Sequence, residues 1–236
     1  METVVRVQSE IARYLAQIEE FDPGDDPDLS RLNTEFLNYL VAACSDNTPL
    51  LTADILLPSI GDMGVITSAD GNLRIYWWDT RLGDIITAYN AIAQYNDGNS
   101  VKVEVLNNTS LRDKQNSIIN YGGYYQTIHS FSKPDGTVVY LADSIAIVGM
   151  PYLPETLQAF IIDTNGLCPA KVFNTNSGPS DKIEIEYDQV DALNRKTIHF
   201  GEDGLQLFIP ETNNFMFTGN YGVYTFNGHY FEPDGM

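Results

Sequence analysis

Leu73-Arg74-Ile75-Tyr76-Trp77-Trp78-Asp79, set directly behind the turn Ala69-Asp70-Gly71-Asn72, decides how this chain reads. An Asp-Gly pair followed by a run of β-branched and aromatic residues is a hairpin turn feeding a strand. The run holds both tryptophans of the protein. Trp77 and Trp78 are neighbours, so in a strand they point to opposite faces. One belongs to the core, and the other is open to solvent or covered by helices. A polar tail, Thr80-Arg81-Leu82-Gly83-Asp84, follows.

Downstream the same grammar repeats. Asp97-Gly98, Asp135-Gly136, Asp203-Gly204 and Asn227-Gly228 are further tight-turn pairs. Between them the spacing predicts strands over 64–68, 73–79, 85–95, 101–106, 124–131, 137–142, 145–148, 157–163, 170–173, 182–188, 197–200, 205–209, 222–226 and 229–231. Residues 107–123 alternate little and read as a long loop with a short helix around 111–119. Turns joining successive strands imply antiparallel hairpins in series. The meander suits a sandwich or a propeller-like array, although the turn spacing is too uneven for a regular blade repeat.

Upstream the period is helical. Val4, Val7, Ile11, Tyr14, Leu15 and Ile18 mark an amphipathic helix over 3–20, with Thr3 placed to cap it. Phe21-Asp22-Pro23-Gly24-Asp25-Asp26-Pro27-Asp28 breaks it as a loop. A second helix follows over 29–44, with Leu32, Phe36, Tyr39, Leu40, Ala43 and Cys44 on one face and Asp28 or Ser30 as its cap. The expected fold is therefore mainly β with an N-terminal helical pair: a helical hairpin over 1–50 packed on an antiparallel β domain over 51–236.

The chain has 236 residues, 43% of them hydrophobic, which is enough for a sizeable core. No apolar run approaches the roughly 20 residues that span a bilayer, so membrane insertion is not expected. Lys and Arg number 13 against 32 Asp and Glu, a net charge of −19. Such a surface repels nucleic-acid phosphates and anionic lipids. Cys44 and Cys168 allow a single disulfide; Cys44 falls on the apolar side of the second helix, where a thiol behaves as a small hydrophobe.

Chemistry-bearing motifs are sparse. Asp26, Asp28 and Ser30 imitate the start of a calcium loop, but Arg31 stands where glycine is needed and Leu37 where the bidentate acid belongs. Those acids suit the start of the following helix better. Glu184, Glu186 and Asp188 share one face of an alternating strand, as a cation site, an acid/base pair or simply the wet side of a sheet. His129, His199 and His229 are scattered, each in a predicted strand, without metal-binding spacing. Nucleophile elbows, phosphate-binding glycine loops and paired-cysteine motifs are absent. Tyr121-Gly122-Gly123-Tyr124-Tyr125 either rims a pocket or pins a strand end. No catalytic set, metal or cofactor is expected. The candidate ligand-binding residues are Tyr76, Trp77, Trp78, Asp79, Asp84 and Tyr124, an aromatic–acidic group that suits stacking against a sugar.

The stretch Asp70-Gly71-Asn72-Leu73-Arg74-Ile75-Tyr76-Trp77-Trp78-Asp79-Thr80-Arg81-Leu82-Gly83-Asp84 resembles a motif close to "DGxLRIYSWDTxTGG", carried by a group of uncharacterised bacterial proteins, largely from Bacteroidetes and some Proteobacteria. Trp77 stands in place of the usual serine and Asp84 in place of the second glycine. Residues 181–188 resemble the group weakly, and the closing Gly222-Val223-Tyr224-Thr225-Phe226-Asn227-Gly228-His229-Tyr230-Phe231 is similar to its "YxFNGxYF" end. Those proteins typically carry a leader peptide and have no established activity. The resemblance implies an exported, mostly β protein and transfers no catalytic residue. Residues 1–6 do not look like a signal peptide. The expectation is a periplasmic or secreted protein whose leader has been removed, or a cytoplasmic one if Met1 is native. The functional expectation is a non-enzymatic binding protein for a protein or carbohydrate ligand. Its rivals are a glycan hydrolase drawing on Asp79, Asp84, Glu184 and Glu186, and an acidic inhibitor or immunity protein for a basic toxin.

Overall fold

The computed structural model describes residues 2–57, 62–83, 86–109, 122–147, 152–188 and 197–234. The chain forms two compact units, Met1–Tyr125 with Ala146–Val148, and Gln126–Ile145 with Gly149–Met236.

In the first unit, α1 (Glu2–Glu19), α2 (Pro27–Cys44) and the short α3 (Thr48–Thr52) cover a sheet of β1 (Met63–Thr67), β2 (Leu73–Asp79), β3 (Tyr89–Asn96) and β4 (Val101–Asn107). The strands lie in sequence order and every pairing is antiparallel. Gly71 (φ 72°) and Gly98 (φ 89°) take the left-handed backbone that their hairpin turns require. Val7, Ile11, Leu15 and Ile18 of α1 and Leu29, Phe36 and Leu40 of α2 are buried with Tyr76, Trp78 and Ile92 in one core. The compact units divide the chain at positions other than the expected residue 50. The helices share a core with the first four strands, because their apolar stripes have no other surface to cover.

Local corrections have local causes. Thr3 lies inside α1 rather than capping it. Asp26, not Asp28 or Ser30, caps α2, its carboxylate accepting the N–H groups of Asp28 and Leu29. Pro27 lacks an N–H and presets a helical φ, so the helix starts ahead of the expected position. The strand expected over 85–95 starts at Tyr89; Asp84 and Ile85 lie outside the described residues, as do 110–121.

The second unit continues with β5 (Tyr124–Ser132, its first two residues belonging to the first unit), β6 (Val138–Ile145), β7 (Tyr152–Asp163), β8 (Gly166–Pro169), β9 (Phe173–Thr175), β10 (Gly178–Ser180), β11 (Lys182–Asp188), β12 (His199–Phe200), β13 (Gln206–Asn213), β14 (Met216–Phe226) and β15 (Phe231–Pro233). One sheet runs β11-β7-β6-β5, with β8 paired to β7; the other runs β10-β9-β15-β14-β13-β12. Val139, Leu141, Leu157 and Ala159 of the first meet Phe173, Leu207, Ile209 and Phe231 of the second in a single core. This is sandwich packing. Among the described residues no sheet closes into a barrel, and the only parallel pairing is Phe231↔Phe173.

Ile145 ends β6 instead of opening a strand over 145–148. The strand runs straight through Ala142-Asp143-Ser144, where Asp143, buried, accepts a hydrogen bond from Gln126 Nε2. Only Phe173 of the stretch 170–173 is in a strand; Ala170 and Val172 are buried in the link between β8 and β9. His229 lies in the turn before β15. No described helix is long and apolar enough to cross a membrane.

Candidate functional site

The Trp77–Trp78 strand sends its residues both ways. On the helix side, Trp78 packs on Phe36, ring centroids 4.9 Å apart, and Phe36 stacks on Tyr14. Trp78 Nε1 donates to Asn33 Oδ1 at 3.0 Å, and Asn33 Nδ2 donates to the carbonyls of Thr80 and Leu29. Tyr76 O–H lies 3.2 Å from the Leu50 carbonyl and 3.1 Å from Gln94 Oε1. Arg74 also donates to Leu50 O, and Gln94 Nε2 donates to the carbonyls of Cys44 and Asn47. The last carbonyls of a helix lack intrahelical donors; here the sheet supplies them. Burial pushes the Cys44 thiol up to about 12 and the Tyr76 phenol well above its ordinary range. Tyr76 and Trp78 are fully buried with their polar atoms partnered, so the ligand-binding expectation for them gives way to a packing role.

On the opposite face the Trp77 indole lies over Gly64, its cross-strand partner. It packs against Tyr89 and Tyr124 at 5.7 and 5.6 Å and donates Nε1–H to the Tyr125 carbonyl. Trp77 is half-buried rather than laid open as a stacking platform. Asp79 accepts the Arg81 N–H at 2.8 Å. Burial raises its pKa, the Asp62 carboxylate adding to the effect while the Arg81 N–H opposes it. Arg81, at φ 55°, donates to the Phe21 carbonyl, pairs with Glu19 and accepts the Gly24 N–H. The described part of the tail thus ties the strand end to α1 and the loop after it. Asp84 lies outside the described residues.

The other described acids that the sequence singles out lie on the surface or in a helix cap. Glu184 and Glu186 are exposed on β11, the end strand of its sheet, and Glu184 pairs with Lys182 at 2.8 Å. The Asp26 carboxylate is occupied as a helix cap. Among the described residues no group of three His, Cys, Asp or Glu is arranged to hold a metal. Cys44 and Cys168 do not form a disulfide.

Two features of the second unit lay beyond the sequence expectations. Leu207 and Ile209 of β13 face the core, which turns Phe208 outward. There His199 stacks on Phe208 at 4.8 Å and meets Tyr221 edge-on at 4.8 Å, and Tyr221 meets Phe217 at 5.5 Å. Past the bulge between Pro210 and Thr212, β13 and β14 pair only with each other among the described residues. Their tip is a two-residue turn, Asn214 (φ 49°) and Phe215 (φ 66°), closed by Asn213↔Met216; Met216 is 58% exposed. The residues carry the pattern of an Asn-x turn followed by aromatics, but without the glycine that normally marks one.

The second feature is an open cleft of about 360 Å³, lined by Asn174, Thr175, Asn176, Ser177, Tyr224 and Pro233. Tyr224 and Pro233 are cross-strand partners of β14 and β15. Asn174 Nδ2 donates to Glu232, and the Thr175 hydroxyl donates to the Gly178 carbonyl while accepting the Ser177 N–H. The signal for this cleft is diffuse, since its residues come from segments about 50 positions apart that the parallel β9–β15 contact and the Asn174–Glu232 bond bring together.

No protein-family model, curated protein or solved structure matches the chain.

Proposed function

We propose that the protein is a non-enzymatic binding protein acting outside the cytoplasm, and that it presents its partner with the second unit. The observation that carries this reading is the aromatic ladder His199, Phe208, Tyr221 and Phe217 on the solvent side of its sheet. Aromatic rings left half-exposed in a row are contact area held in place by the strands beneath, at low entropy cost on binding. The two acids of β11 support the non-enzymatic part. A glycosidase needs two carboxyl groups flanking one bond, whereas Glu184 and Glu186 face solvent from an end strand and Glu184 is already paired. The resemblance of 70–84 and 222–231 to an exported bacterial group supports the location.

The test is binding of the protein to a panel of immobilised glycans and purified envelope proteins, with Phe217→Ser/Tyr221→Ser alongside. The expected result is retention on one class, weakened about tenfold or more in the variant, with the unfolding midpoint unchanged. Retention that the variant keeps in full, no retention by any surface, or release of cleaved sugar from any glycan overturns the reading.

A further inference from the structure

The geometry points to the cleft between the β9–β10 turn and the β14–β15 pair as a subsite for a neutral saccharide, an assignment that rests on the binding reading above but on different residues. The walls select the ligand by exclusion first. Among the described residues no Lys, Arg or His lines the cleft, so a phosphate, sulfate or carboxylate meets no counter-charge from them, and the net charge of −19 repels it on approach. No described Asp or Glu lines it either, so a hard cation lacks carboxylate ligands from these walls. What remains is a neutral, polyhydroxylated compound.

The surfaces present match that class. Tyr224 and Pro233 supply an apolar wall against which the C–H side of a sugar packs. Asn176 and Ser177 supply an amide and a hydroxyl, each able to donate and accept, at the rim. Both are exposed, and neither side chain has a hydrogen-bond partner among the described residues. The backbone of the turn that carries them is braced. Thr175 spends its hydroxyl on both sides of the turn, on the Ser177 N–H and the Gly178 carbonyl. Asn174 is oriented by the bond from its Nδ2 to Glu232, which leaves its carbonyl oxygen as the acceptor. A braced turn and an oriented amide lose little freedom on binding. The volume of about 360 Å³ sits at the small end of the roughly 300–1,000 Å³ typical of ligand sites, which suits a single unit of a longer glycan held weakly.

The experiment is an amide NMR titration of the intact chain with galactose, N-acetylglucosamine and cellobiose, and with glucuronate and glucose 6-phosphate as charged controls. A neutral sugar is expected to shift the amides of residues 174–177 and Tyr224 with saturation in about the millimolar range. The charged controls are expected to leave them in place. Asn176→Ala/Ser177→Ala, both in an exposed turn, is expected to weaken the response about tenfold. Because Tyr224 also packs against the core, Tyr224→Phe keeps the ring and is expected to retain binding. The assignment is overturned if no neutral sugar moves these amides, if the shifts fall elsewhere, or if the charged sugars bind as well. Phe217→Ser/Tyr221→Ser is expected to leave the titration unchanged, so failure of the ladder and failure of the cleft are read separately.

Discussion

Asn33 is a polar side chain with no exposed surface, and its amide serves three partners: the Trp78 indole and the carbonyls of Thr80 and Leu29. Asn33→Ala strands a buried N–H and a buried carbonyl, so a loss of roughly 2–4 kcal/mol is expected in urea unfolding; a loss below 1 kcal/mol contradicts the role given to it. Asp79 works in the other direction. Its folded pKa is raised, chiefly by burial, so the folded chain binds that proton more tightly than the unfolded one. The ionised carboxylate costs stability at neutral pH, and the cost is relieved as pH falls through the raised value. Asp79→Asn is therefore expected to be more stable than the parent at neutral pH and to lose that advantage on acidification, measured by denaturant midpoints across the pH range. Phe215 holds a left-handed backbone that a bulky side chain adopts only at a cost. Phe215→Gly is expected to stabilise the chain by about 0.5–1 kcal/mol, and a drop in thermal midpoint speaks against strain at the tip.

Among the elements, the β1–β2 pair shows how a strand signal conceals its partners. Alternation places Trp77 and Trp78 on opposite faces, and the structure does so, but nothing in the residues says that Trp77 covers Gly64. A methyl group at Gly64 meets the indole directly, so Gly64→Ala is expected to cost about 1–3 kcal/mol and to shift the tryptophan fluorescence of the native state; an unchanged spectrum and midpoint refute the contact. Strands with a clear alternation and a turn at each end, Leu73–Asp79 and Lys182–Asp188, were legible to the residue. β6 runs on through Asp143-Ser144, the gap between the strands expected over 137–142 and 145–148, because burial and the bond from Gln126 outweigh local propensity. β9 and β10, three residues each, carry too few residues to show a period. The cleft they border was illegible for the same reason.

For the whole molecule, the two units each carry a hydrophobic core and one cysteine outside any disulfide. Cys44 is sealed in the first, its thiol pushed up to about 12 by burial, whereas Cys168 is partly exposed in the second. Native protein treated with iodoacetamide is expected to take one label, at Cys168, by mass spectrometry. The label at Cys44 is expected to appear only with loss of helical circular dichroism, and equal labelling of both sites in native protein counts against the sealed core. What the sequence determined is periodicity: 3.6 before residue 50, 2 after it, with Asp-Gly turns between, because side-chain spacing and positive-φ tolerance are properties of adjacent residues. It also set the charge, and with it the partners the chain repels. Which strands the helices cover, which tryptophan is sealed, where the aromatic ladder emerges and how segments 50 residues apart line one cleft were decided only in the tertiary structure. Those outcomes depend on contacts between residues distant in the chain, and burial, which selects among them, exists only once the layers have closed.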